Sequence, residues 1–417
     1  MYDKQFINEL FFEGQCKREQ SQACLSSAEC SLTSIFYQLV RVSIGTAGCL
    51  SRTPNESEWG ELYAMAKKQS LVGVCCAGVQ KLYNDNANDD DNHNRSNTSN
   101  LSELQYLTWL GMAAKIQQRN EIVNRQCVDL QKRLSADGMR SCILKGQGVA
   151  QLYGSLAGLR QSGDIDIWVE GGYKKVASWL KTVESECDFD DHHAHLHVFG
   201  DTDVEVHFTP YTLRHQILNR RLQRWFASQA DAQFSNSISM KDGELCVPTA
   251  EFNLVYQLCH VYNHFFTEGV GLRQLMDYYF VLRTSYDNTS TGSAQAENEN
   301  VVRVVQDFGL ERFAAALLWV VGYVFEGKNL GTSETIETFQ TLGFKPNEKD
   351  GRFLLEEVMK SGNFGKTDER NRGLYDNTWN RFWVVHMKTF RLWRFDHWAW
   401  FWSPISRVSG FIKSKIR

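Results

Sequence analysis

No two cysteines stand at the Cys-x-x-Cys spacing, although eleven cysteines are scattered along the 417 residues. Zinc-ribbon and dithiol redox arrangements are therefore excluded. The odd count and the adjacent Cys75 and Cys76 fit a reduced, cytoplasmic chain better than a disulfide framework. Positive charge is not in excess either. Forty-five Lys and Arg against 49 Asp and Glu leave a formal net charge of −4, without the basic field that whole-surface nucleic-acid binding requires, and no stable nucleic-acid binding is expected. No apolar run reaches the roughly 20 residues that span a bilayer. The opening MYDKQFINELFFEG mixes charges among its apolar residues and does not read as a secretory signal. What is present is 42% hydrophobic content, including 12% aromatic residues, enough to build the cores of two or three modest domains.

Residues 1–30 are polar and aperiodic and read as a loosely ordered lead-in. From Ser31 the apolar spacing is helical, with Ile35, Phe36, Leu39, Val40 and Val42 on one face and Trp59, Leu62, Tyr63 and Ala66 on another. Residues 84–100 are almost wholly Asn, Asp and Ser and predict a solvated loop. A long helix is expected over 102–136, which contains no proline, so residues 31–138 form an N-terminal helical region. The period then changes. A short strand at 141–144, a glycine turn at 146–148 and a helix starting near Val149 are followed by strands at 165–169, 195–199 and 204–208 and a helix over 173–183. Residues 200–203 have turn chemistry and join the last two strands as a hairpin. Beyond Pro210 the pattern is helical to about residue 370, with a loop at 288–300, and residues 371–417 form an aromatic, basic tail. The expected fold class is α+β, with a small mixed-sheet core at 139–210 between two helical regions.

The segment RQSGDIDIWV, residues 160–169, carries the chemistry. Side chains at i and i+2 of a strand share a face, so Asp164 and Asp166 project together while Ile165, Ile167 and Val169 enter the core. Two carboxylates this close suit a divalent cation with oxygen preference, Mg²⁺ or alternatively Mn²⁺. Glu205, in DVEVHF, is a third acid on a nearby strand, and such a triad can hold two ions and activate an attacking hydroxyl. Upstream, KGQG opens a helix, where unpaired N–H groups and the helix dipole attract an anion. Gly146 and Gly148 are the expected phosphate cradle, with Ser162 and Gly163 a flexible lead into the acids. Lys145 and Arg160 either contact phosphate or are solvated.

The segments ILKGQGVAQLYG, LRQSGDIDIWV and DVEVHF together resemble the uncharacterised bacterial nucleotidyltransferase family within the DNA polymerase β-type superfamily. Lys145-Gly146 stands where many relatives have Gly-Gly or Gly-Ser. The likeness extends through PTAEFNLVYQLCHVYNHFFTEGVGLRQLMDYYFVL and covers roughly residues 35–290. It implies Mg²⁺-dependent transfer of a nucleoside monophosphate from a nucleoside triphosphate, commonly ATP, to a hydroxyl or phosphate acceptor. It implies metal ligation and catalysis by Asp164, Asp166 and Glu205. A catalytically inactive binding or assembly protein with the same fold is the alternative.

The histidines at 192, 193, 195, 197 and 207 lie beside the acids, where they either line the acceptor pocket, sit on the surface or bind zinc or manganese; His207 shares a strand face with Glu205. His260 and His264 are four apart on a helix, but no Glu follows His260 as a hydrolase HExxH requires. They read as pocket-wall or core-edge residues. Arg273 and Asp277 have the spacing of an ion pair, and Arg273 or His264 at the nucleotide or acceptor is the other reading. Residues 379–417 hold eight Lys and Arg against one Asp among many Trp and Phe. That mixture suits either packing on the domain or peripheral contact with the inner membrane face.

Overall fold

The computed structural model describes residues 31–87, 97–184, 187–287, 293–327, 344–365, 368, 378–402 and 404. Helix α1 (Leu32–Ile44) begins where the Ser31 side chain accepts the Ser34 N–H and ends at Gly45 in the left-handed region, φ 80°. It buries Ile35, Phe36, Leu39, Val40 and Val42, the stripe that the periodicity marks. Helix α2 (Glu56–Lys68) opens with a reciprocal capping box between Asn55 and Glu58 and buries Trp59, Leu62 and Ala66. Helix α3 (Val72–Ala87) takes in residues 84–87, the first part of the expected loop. At the other end of that loop, Asn97 exchanges hydrogen bonds with the backbone of Leu50, so its amide is spent on the protein and not on solvent. Residues 88–96 and the lead-in 1–30 lie outside the described residues. Helix α4 (Glu103–Ala136) is capped by the Ser102–Gln105 box and runs the full predicted length.

The α+β class is as expected. Four strands, β1 (Ser141–Ile143), β2 (Ile165–Val169), β3 (His193–Phe199) and β4 (Thr202–His207), form a sheet in the order β1-β2-β4-β3. Strands β2 and β4 are parallel, and the other pairs are antiparallel. Register sets Asp166 opposite Glu205 and Trp168 opposite His207 across β2 and β4, and His193 opposite His207 and His195 opposite Glu205 across β4 and β3. Alternation then gives the sheet two different faces. Ile165, Ile167, Val169, Val204, Val206 and Leu196 pack with Val123, Cys127 and Leu134 of α4 and with Val176 and Leu180 of α6 (Gly172–Val183). The opposite face carries the acids and histidines, and its apolar members, Cys142 and Trp168, join the larger core.

That face is roofed by the C-terminal helices. Trp168 stacks on Phe252 of α8 (Ala250–Phe266) and tilts against Phe226 of α7 (Gln216–Gln233). Burying such rings removes large apolar areas from water, at about 25 cal/mol per Å², and this holds α8 over the polar side chains beside Trp168. Strands β3 and β4 each begin two residues earlier than expected, and three larger differences follow. A β-hairpin, β5 (Ser237–Met240) and β6 (Gly243–Cys246), interrupts the region read as helical, its tight turn made by Lys241 and Asp242 and followed by Gly243 at φ 143°. Helix α9 (Leu272–Asp287) is followed by α10 (Ser293–Asp307), which occupies most of the expected loop 288–300 because its Ala, Gln and Glu residues favour helix. Cys49 is disulfide-bonded although seven described cysteines are free thiols. A disulfide joins residues that the fold brings together, and spacing alone does not reveal it.

Helices α11 (Glu311–Val321) and α12 (Glu348–Ser361) pack against each other, and α13 (Thr378–Arg391) leads into the aromatic segment. Leu392, Phe395 and Ala399 are buried in the large core, and Tyr262 of α8 donates to Asp396. Trp383, Met387, Phe390, Trp393, Trp398, Trp400 and Phe401 are exposed. The segment thus packs through one side and shows aromatic rings on the other. Among the described residues no helix is long and apolar enough to cross a membrane.

Candidate active site

Asp166 lies at the centre of the polar face, almost completely buried. Its Oδ1 is 2.9 Å from Lys145 Nζ and 3.0 Å from His207 Nε2. Its Oδ2 is buried with no hydrogen-bond partner among the described residues. Glu205, its cross-strand neighbour, places Oε2 3.5 Å from His207 Nε2 and Oε1 3.8 Å from His193 Nε2. The sequence-predicted acids are therefore gathered: Asp166 from β2 and Asp164, in the segment just before it, line a common cleft, and Glu205 faces Asp166 from β4.

Charges are balanced within this cluster. Burial opposes the Lys145 ammonium, yet Asp166, Asp164 and Glu205 outweigh it and hold its pKa well above the ordinary value. His207 is likewise penalised by burial, and its hydrogen bonds to Asp166 and Glu205 raise its pKa all the same. For Glu205, burial is again the largest single influence, but the His207 hydrogen bond and the Lys145 charge win and pull its carboxyl below the usual range. The Lys145 ammonium and the His207 ring thus stand against the carboxylates, on the side where a divalent ion would supply positive charge in sites of this pattern. His260, read from sequence as a pocket-wall or core-edge residue, lines the cleft, and its contact with Lys145 is the part that the sequence did not show. Burial and the Lys145 charge push its pKa down, so it is a neutral imidazole whose Nε2 accepts from the Lys145 ammonium at 3.1 Å.

Two helices aim these groups. From α8, Gln257 donates to the Leu144 carbonyl and His260 receives Lys145, which fixes the turn between β1 and the short helix α5 (Gln147–Ala150). From α9, Asp277 receives Arg160 through two hydrogen bonds of 2.6 and 2.8 Å, and the Tyr153 hydroxyl donates to the same carboxylate at 2.7 Å. Arg273 Nη1 donates to the Gln161 carbonyl at 2.7 Å, and Asn120 of α4 donates to the carbonyls of Gly158 and Arg160. The segment leading into Asp164 is thereby clamped from both sides. Arg160 is accordingly neither solvated nor presented on the surface: it is buried and committed to Asp277, the residue that the spacing paired with Arg273.

The cleft, open on one side, is lined by Lys145, Gly146, Gly163, Asp164, Asp166 and Arg273 together with Arg160, Gln257, His260, Gln274 and Asp277. Gly146, at φ 59° and ψ −111°, has a backbone conformation that suits glycine, and a Cβ there would stand 3.6 Å from the Asp164 carbonyl. Gly148 lies elsewhere. It is buried where a Cβ would meet Val247 and the Ile143 carbonyl at 3.1 Å, so its smallness serves helix-to-strand packing. Ser162 is not among the lining residues, and His264 sits behind His260 with its Nδ1 3.3 Å from Glu268.

Such a site, with Asp166 and Glu205 on adjacent strands, Asp164 just before the first of them, and a glycine turn, a lysine and an arginine beside them, has the components for binding a metal-bound polyphosphate. No curated protein and no solved structure matches the chain. A family of proteins described as uncharacterised nucleotidyltransferases matches residues 55–326, a span that contains every site residue named above, and the chain belongs to that family.

Proposed function

We propose that the protein transfers a nucleoside monophosphate from a nucleoside triphosphate, ATP being the first candidate, to a hydroxyl or phosphate acceptor. The observation that carries this reading is the position of Asp166: buried, opposite Glu205, with one oxygen unsatisfied and the other held by Lys145 and His207. Burying an unpaired carboxylate oxygen costs about 1–3 kcal/mol or more, a cost that a ligand to that oxygen removes. Oxygen and imidazole atoms of Asp166, Glu205 and His207 lie within 4.8 Å of one another, and Asp164 borders the same cleft. This donor set fits Mg²⁺ or Mn²⁺ held by Asp164, Asp166 and Glu205. Such an ion supplies charge neutralisation on the phosphates and a more acidic acceptor hydroxyl.

The chain's own residues do the remainder. Gly146 lets the backbone approach the phosphates, and Lys145, released from Asp166, is within the cleft to meet phosphate charge. Arg273 holds the Asp164 segment and presents its guanidinium to the same space. The acceptor oxygen forms a bond to the α-phosphorus while the bond from that phosphorus to the bridging oxygen breaks, and pyrophosphate carries the electron pair away. The acceptor's proton passes to a carboxylate of the cluster, with Glu205, beside His207, placed to receive it.

A second reading, the same fold without turnover, draws on one contact: an ammonium seated on Asp166 at 2.9 Å closes the site to a cation unless it moves. Phosphorus NMR of the protein incubated with each nucleoside triphosphate, Mg²⁺ and a cell extract as acceptor source separates the two. Pyrophosphate is the expected co-product, absent with Asp164→Ala. Nucleoside diphosphate or orthophosphate as the stoichiometric product would place cleavage at another bond and overturn the transfer reading.

A further inference from the structure

Strand β3 is the last of the four strands, and its polar face carries His193 and His195, two imidazoles that the proposed mechanism leaves unused. His193 Nε2 is 3.5 Å from Asp190 Oδ2, and His195 Nε2 is 3.8 Å from the same oxygen. All three ligand atoms lie within 4.8 Å of one another. Ligands at about 2.1 Å around a tetrahedral ion stand roughly 3.4 Å apart, so these groups need only small side-chain rotations to share one. The backbone holds them together. Asp190 N–H donates to the His193 carbonyl and His195 N–H to the Asp188 carbonyl, which lays residues 188–190 alongside the strand. The His193 side chain is only 9% exposed, and its Nε2 has no hydrogen-bond partner among the described residues.

From this juxtaposition we infer a second metal site, formed by Asp190, His193 and His195, for a divalent ion of the zinc type. Two imidazoles and one carboxylate are a donor set for such ions and a poor one for Mg²⁺. Three protein ligands leave a fourth position open, as in sites that act on a bound molecule, and the 66% exposure of Asp190 puts that position toward solvent. His193 also lies 3.8 Å from Glu205 Oε1, so the ion stands on the far side of Glu205 from Asp166. On the nucleotidyltransferase reading this is the acceptor side, where the open position takes an oxygen or nitrogen of the acceptor. The metal site itself does not depend on that reading.

Titration of the chelator-treated full chain with Zn²⁺ alone, by calorimetry and by zinc K-edge absorption, tests the inference. One saturable site with two imidazole ligands is expected, its affinity reduced by about 10–100-fold or more in His195→Ala and in Asp190→Asn. Both side chains are at least partly exposed, so both variants should keep the wild-type circular dichroism spectrum, and either one suffices. Asp166→Asn should keep the zinc affinity and lose Mg²⁺-dependent nucleotide binding, whereas His195→Ala should show the reverse pattern. No saturable zinc binding, or binding that is lost in Asp166→Asn and kept in His195→Ala, overturns the second site without touching the nucleotide site.

Discussion

Asp166→Asn is expected to lower nucleotide transfer by on the order of 10³-fold or more, the scale on which removing one electrostatic stabiliser acts in catalysis, while the protein remains folded. Asparagine keeps the shape of the side chain and a partner for His207 but removes the charge that Lys145, His207 and a metal ion share. The acid has no substitute. Glu205 comes from the neighbouring strand and Asp164 from the segment just before β2, so neither can reach its place without moving the backbone. Steady-state assay of the variant, beside its thermal unfolding curve, checks this. Activity within tenfold of the wild type would show that Asp166 is not at the reacting centre.

Asp277→Ala should be the most damaging change outside the acids. Arg160 is buried, and its two hydrogen bonds to Asp277 are joined by one from Tyr153. Removing the carboxylate leaves an uncompensated guanidinium and an unpaired hydroxyl in the interior, and breaking a buried pair in this way costs about 3–5 kcal/mol. Arg160 immediately precedes the Gln161–Asp164 segment, so activity should fall with stability. Denaturant unfolding of the variant measures the first effect. The double variant Arg160→Met/Asp277→Leu, which removes both charges, should recover much of the stability but not the placement of Asp164. A loss below about 1 kcal/mol for Asp277→Ala would mean that water reaches the arginine.

These two predictions rest on different kinds of legibility. Asp166 and Glu205 could be placed on the polar side of their strands from sequence, because strand alternation fixes direction and each acid interrupts an apolar run, whereas Asp164 stands one residue before β2. That Asp166 and Glu205 stand directly opposite each other depends on the parallel pairing of β2 with β4, which no local pattern states. The partners of Lys145 and Arg160 were illegible for a related reason. His260 and Asp277 lie 115 and 117 residues away along the chain, and only the docking of α8 and α9 over the sheet brings them in. The spacing of Arg273 and Asp277 pointed to a local pair, while the buried charge on Arg160 made a stronger claim on Asp277. Gly148 shows the converse: glycine at the start of a helix fits phosphate binding and close packing equally well, and the Val247 contact decides for packing. The β5–β6 hairpin did carry a local sign, the Lys241-Asp242-Gly243 run at its turn, within a stretch too short for its period to stand out.

The central claim is that the acids form a metal-dependent nucleotide site, and calorimetric titration of ATP, GTP, CTP and UTP into the wild-type protein tests it most directly. The account predicts that at least one nucleotide binds, one per chain, with Mg²⁺ present and not in its absence. Failure of every nucleotide to bind, or binding of equal strength with and without Mg²⁺, would contradict it.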